Sequence, residues 1–165
     1  MAGPLLYISF WHPSGGGPGT HRTARLSRNL KAAGWEVIVL CGRSHGQDHP
    51  HRVNDVRVLP AYSPFPRGRP GTGRGTDARK GPAPWISAAR SLIRQAVFFP
   101  DPQVYWTPFG WATAVKSLAG RPPAALFCSG PPFSPYLLGW LLKLWWRRPL
   151  VLDYRDVWLG HPWWP

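Results

Sequence analysis

Three groups of residues carry side chains or backbone that could do chemistry. The first is a glycine loop. Gly15-Gly16-Gly17-Pro18-Gly19 stands between an apolar run, Leu5-Leu6-Tyr7-Ile8-Ser9-Phe10, and a basic segment opened by Thr20-His21-Arg22. Glycines let a backbone approach a ligand with no Cβ in the way, and a helix starting just after them would add unpaired N–H groups and a positive dipole end. This is a way to meet phosphate, with Gly16, Gly17, Gly19 and Arg22 as the contacting residues; a plain flexible connection is the alternative. The loop is not a dinucleotide fingerprint, because position 20 is threonine and Cys41-Gly42-Arg43 stands where a ribose-binding acid would follow the second strand. It has no Walker lysine either.

The second group is Asp153-Tyr154-Arg155-Asp156. Two carboxylates and an arginine beyond a strand can orient sugar hydroxyls or stabilise charge at a reacting centre. They can equally be an Arg–Asp pair that fixes a loop. The third group is the histidines. His12 and His21 flank the glycine loop and suit ligand contact. His45, His49 and His51 invite a metal reading, but they lie in a polar stretch with neither cysteine nor helical spacing, which reads as a solvated loop.

These groups need elements to position them. Strand 5–10, a helix over about 20–33 and strand 36–41 make a βαβ unit, with Leu26, Leu30 and Ala33 on one helix face and Arg22, Arg25, Arg28 and Lys31 on another. Gly34 suits a helix C-terminus. Val53 to Leu59 reads as a third strand. Residues 60–84, rich in proline, glycine and basic residues, read as a mobile surface loop. Helices are expected over 86–97, over 104–118 with Pro100-Asp101-Pro102 before it, and from a cap at Ser134 to Trp146. Ala124 to Cys128 and Leu150 to Leu152 complete the strands, and Ser129-Gly130-Pro131-Pro132 is a tight turn. Alternating strands and helices predict an α/β domain with a Rossmann-like open parallel sheet and helices on both faces. In such a sheet the glycine loop, the Ser129 turn and the Asp153 segment all follow strands, so they should meet at one edge.

The 165 residues suit one domain, and a net charge of +13 points to anionic partners or to a solvated basic surface. Only seven acidic residues limit any carboxylate mechanism. Cys41 and Cys128 each end an apolar run and read as buried thiols. The run from Tyr136 to Trp146 falls short of a bilayer span of about 20 residues. Trp140, Trp145, Trp146, Arg147 and Arg148 suit a core helix with a basic end better than a membrane-surface patch. Nucleic acid ranks last as a partner, because the basic residues sit mostly in one loop and one helix stripe.

Taken in order, several segments resemble the N-terminal domain of family 4 glycosyltransferases, enzymes of the GT-B fold. They are Leu6 to Pro13, Gly15 to Gly19, Arg22-Thr23-Ala24-Arg25-Leu26, Gly34 to Leu40, Pro100-Asp101-Pro102, Ser129 to Pro135 and Asp153 to Trp158. The resemblance covers nearly all of the chain outside 60–84. It implies retaining transfer of a sugar from a nucleotide-sugar donor to a glycan or lipid-linked acceptor, without a metal or other cofactor. It implies that the glycine loop nears the donor diphosphate, that Asp156 and Arg155 position the reacting sugars, and that His12, Ser129, Gly130 and Asp153 line the acceptor side. It also implies a cytoplasmic protein that can touch the inner face of the membrane. Tyr136 stands where many relatives have histidine. With Glu36 the sole glutamate, the glutamate pair of the second, nucleotide-sugar-binding domain is absent. The expectation is one N-terminal half over 1–165, inactive alone, whose C-terminal half is missing or sits on another chain. A non-catalytic nucleotide- or partner-binding module is the alternative.

Overall fold

The computed structural model describes residues 3–43, 49–63 and 101–154. The expected helix over 86–97 lies outside these residues, as do most of the 60–84 loop and the stretch from Arg155 onward.

Among the described residues, six strands form one sheet. In chain order the elements are β1 (Leu5–Ile8), α1 (Pro18–Ala32), β2 (Val37–Gly42), β3 (His51–Val53), β4 (Val56–Ala61), a 3-10 helix (Pro102–Trp106), α2 (Thr107–Ser117), β5 (Ala125–Gly130), α3 (Ser134–Trp146) and β6 (Leu150–Tyr154). The strand order is β3-β4-β2-β1-β5-β6. All neighbours are parallel except β3 and β4. The expected α/β sheet is therefore present, as a mostly parallel mixed sheet.

Alternation along the strands sorts the core into two layers. Leu6, Ile8, Ile38, Leu40, Leu59, Leu126 and Cys128 face the 3-10 helix, α2 and α3, where Trp106, Ala114, Leu138 and Leu142 meet them. Leu5, Tyr7, Val37, Val39, Val56 and Val58 face the other way, toward Leu26 and Leu30 of α1. Strands β1 and β2 are buried throughout, which is why both read as unbroken apolar runs.

Several elements depart from the sequence reading. The single strand expected over 53–59 is a hairpin: β3 ends at Val53, Asn54 and Asp55 turn with φ of 49° and 60°, and β4 begins at Val56. Two consecutive positive φ values are the primed turn that matches strand twist. Pro60 and Ala61, expected in the loop, finish β4. Helix α1 starts at Pro18, and its buried residues are Thr20, Thr23 and Ser27. Leu26 and Leu30 pack only partly, and Ala33 is exposed. Gly34 does follow the helix with φ of 91°, and Trp35 N–H bonds back to Leu30 O at 3.2 Å.

Ser134 does not cap α3. The cap position is Phe133, with no side-chain cap bond of its own. Asp101, 33 residues upstream, takes that role. Its buried carboxylate accepts the backbone N–H groups of Phe133 (2.5 Å) and Ser134 (2.7 Å) and the Ser134 hydroxyl. It also accepts Gln103 N–H at 2.9 Å, so one carboxylate starts both the 3-10 helix and α3.

Trp140 and Trp145 are exposed, against the core reading, whereas Leu138, Leu142 and Trp146 pack inward. Cys41 and Cys128 are buried and form no disulfide. No helix among the described residues is long and apolar enough to cross a membrane.

Candidate functional site

Strands β2 and β4 lie to one side of β1, whereas β5 and β6 lie to the other. The order therefore reverses between β1 and β5, and ligands of open α/β sheets bind beyond the carboxyl ends at that point. The loops that leave β1 and β5 meet there. Trp11 Nε1 donates to Pro131 O at 3.0 Å across the gap.

The β1–α1 loop is held by a chain of hydroxyls. Trp11 N–H donates to Ser9 Oγ (3.3 Å), which bonds Thr23 Oγ1 (2.8 Å), and Thr23 Oγ1 donates to Gly19 O (3.1 Å). The glycines play different parts. Gly17 has φ of 104°, a conformation other residues adopt only under strain. A Cβ on Gly19 would lie 2.4 Å from the Trp11 ring, so this glycine seats the indole on the first turn of α1. Gly16 faces open space. Helix α1 begins with no side-chain cap and no acid in its first turn, which leaves its positive end facing the loop.

Arg22 stands one turn into α1 and bridges to the far strands. Its Nη2 donates to both carboxylate oxygens of Asp153, at 2.8 and 2.6 Å. Its Nε donates to Ser129 Oγ at 3.3 Å, and Ser129 Oγ donates to Asp153 Oδ2 at 2.8 Å. These three expected site residues are thus brought together from α1, β5 and β6. Arg22 serves Asp153 directly, so its charge is largely neutralised within the cluster.

Two tyrosines lie beside it. Tyr136 donates its hydroxyl to Asp153 O at 2.7 Å, and burial pushes its pKa well up, so it acts as a fixed donor. Gly130 makes this possible, because a Cβ there would come within 2.8 Å of Tyr136 Oη. The hydroxyl of Tyr7 is buried close to Ser129 and Thr23 without a well-formed hydrogen bond, and burial pushes its pKa up to about 12. The peptide bonds Gly130–Pro131 and Pro131–Pro132 are both cis.

His12 is fully buried with both ring nitrogens engaged. Nδ1 accepts Ser14 N–H at 3.1 Å. Nε2 therefore carries the proton and donates to His51 Nε2 at 3.2 Å, and His51 Nδ1 donates to His49 O at 2.8 Å. His12 thus pins the glycine loop to the hairpin. This corrects the reading of His51 as part of a solvated loop: it sits on β3, its ring stacked 5.1 Å from that of His12. The sequence held no signal for this pair, because 39 residues separate the two. His21 is exposed. Asp156 and Arg155 lie outside the described residues.

No protein-family model matches the chain, and no curated protein matches it. A solved structure does match, that of CalG4, the calicheamicin glycosyltransferase. The TM-score is 0.54 at 17% identity, and the match covers 93% of this chain and 33% of that one. The likeness is one of fold: this is an α/β domain of GT-B-like architecture. The chain spans about a third of the length of that glycosyltransferase.

Proposed function

We propose that the chain is the N-terminal, acceptor-side half of a retaining glycosyltransferase of the family 4 type. It moves a sugar from a nucleotide-sugar donor to a glycan or lipid-linked acceptor, at the cytoplasmic face of a membrane. A second, nucleotide-sugar-binding domain, in the same polypeptide or another, supplies the facing wall. The observation that carries this reading is the convergence of the glycine loop, the Pro131 turn and the Arg22–Ser129–Asp153 cluster where the strand order reverses.

In this reading the positive end of α1, reached over Gly16, Gly17 and Gly19, faces the leaving diphosphate. Arg22 positions Asp153, and His12 holds the loop in place from below. Ser129 and Gly130 shape the acceptor side, and Asp156 and Arg155 orient the sugars. The bond from the anomeric carbon to the phosphate oxygen breaks while the acceptor oxygen bonds on the same face. The acceptor proton passes to the departing phosphate oxygen.

The test is amide mapping of the purified chain with UDP-glucose and GDP-mannose in turn. Shifts confined to residues 14–19 and 129–133, with no turnover, are expected. Turnover by the chain alone would refute its need for a second half, and silence at both loops would remove the donor-side role.

A further inference from the structure

At the opposite end of the strands lies a feature that the carboxyl-edge site does not use. Arg52 on β3 and Arg57 on β4 stand directly opposite each other in the antiparallel register. Directly opposed residues emerge on the same face with Cβ atoms about 5 Å apart, and like charges so placed destabilise a hairpin. Among the described residues no carboxylate pairs with either arginine. Arg52 Nη1 reaches only the backbone carbonyl of Asp55, at 3.4 Å.

The pair lines a cleft of about 420 Å³ between the hairpin and the end of α1, together with Lys31, Trp35, Glu36 and Asp55. A second hollow of about 330 Å³, beside His51, shares the same two arginines. The acids of the cleft do not balance its cations. Glu36 is held by Arg121, at 2.9 Å to Oε1 and 2.7 Å to Oε2. Asp55 lies 3.5 Å from Lys31 in a pair that is largely exposed on both sides, and such pairs are weak. Trp35, 42% exposed, adds a flat apolar surface.

We propose that this cleft is a second binding site, for a phosphate monoester carried by a small compound or by a lipid. Two arginines opposed in register can close their guanidinium groups on the oxygens of one phosphate, which would relieve their mutual repulsion. Lys31 adds a third cation. The cleft is larger than a phosphate alone and falls in the size range of small-molecule sites, and Trp35 offers a flat apolar face to the group that carries the phosphate. The pair lies toward the amino-terminal side of the sheet: Arg57 pairs with Ile38 near the start of β2, about four residues or roughly 13 Å of strand from its carboxyl end, whereas His51, next to Arg52, reaches His12 of the glycine loop.

The phosphate can belong to a soluble compound or to a lipid headgroup, and the test separates these. The full chain is titrated with glucose 6-phosphate while amide shifts are followed, and is sedimented with phosphatidylcholine vesicles with and without phosphatidic acid. Saturable shifts at Lys31, Trp35, Arg52 and Arg57 identify a soluble ligand; sedimentation with phosphatidic acid alone identifies a headgroup. Either supports the site. The double variant R52Q/R57Q should weaken binding about tenfold or more and should melt no lower than the parent, since it removes the opposed charges. K116Q, a cation on α2, serves as the control. Binding in neither arm, or equal weakening by K116Q, overturns the proposal. Shifts at 15–19 and 129–133 that persist in R52Q/R57Q report on the glycosyltransferase reading separately.

Discussion

The β3 edge of the sheet exposes three residues, His51, Arg52 and Val53, on an antiparallel strand that turns back at once through Asn54-Asp55. The β6 edge exposes five, Leu150 to Tyr154, on a parallel strand. Val151, Leu152 and Tyr154 of that strand are 53%, 39% and 48% exposed, and Trp140 and Leu144 of α3 extend the apolar surface. Short, charged, turned edges resist pairing with another strand, whereas longer apolar ones invite it. Among the described residues, Val151 and Leu152 leave both faces of this parallel strand partly exposed, although parallel sheets are ordinarily covered on both. One edge thus has the character of a boundary, and the other that of a surface awaiting cover.

The largest test of this contrast is Asp101→Ala. It strips four hydrogen bonds from one buried carboxylate and leaves the start of α3 uncapped. A loss of about 3 kcal/mol or more is expected in chemical denaturation. Amide exchange should rise first over α3, β5 and β6. If the hairpin loses protection equally, the two sides do not behave as separate units.

Alkaline pH should give a comparable effect. Tyr7, Tyr136 and Cys128 all have pKa values raised by burial, that of Tyr7 to about 12 from 10.0. A raised folded pKa means that the native state keeps protons the unfolded chain gives up. Stability is therefore full below the ordinary values, near pH 9 to 10, and falls as pH rises through the folded ones. Tyr7 alone accounts for roughly 1.4 kcal/mol by pH 11, and for roughly 3 kcal/mol once pH exceeds its folded value. Urea midpoints measured from pH 7 to pH 11 should be flat and then decline, and Tyr7→Phe should decline less.

The smallest effect on folding, and the most direct probe of the edges, is a lysine on β6. Val151→Lys should change stability by no more than about 0.5 kcal/mol. It should nevertheless lower self-association in sedimentation velocity, whereas Arg52→Val at the other edge should raise it. Equal behaviour of the two variants would erase the distinction.

How much of this was legible in the sequence follows from the same physics. Strands β1, β2 and β5 are apolar runs because they are interior, and their order along the chain was enough to predict where the loops gather. The hairpin was hidden, because an edge strand written His51-Arg52-Val53 has the composition of a loop and its turn contains no glycine. The buried stripe of α1 was hidden for another reason. Thr20, Thr23 and Ser27 each bond a carbonyl of their own chain segment, at Gly16, Gly19 and Ala24. Their polar atoms are satisfied locally, so a hydrophilic row can sit against the sheet. Pairings such as Arg22 with Asp153, 131 residues apart, leave no local trace at all.

The two thiols offer a way to time these edges. Cys41 on β2 pairs in register with Pro60 of β4, and Cys128 on β5 with Leu152 of β6. Both are wholly enclosed, and Cys128 is so closely covered that a Cβ on Gly139 would lie 2.3 Å from its sulfur. A thiol reagent can reach either sulfur only while its neighbourhood is open. The two labelling rates are therefore two clocks, one ticking with each side of the sheet.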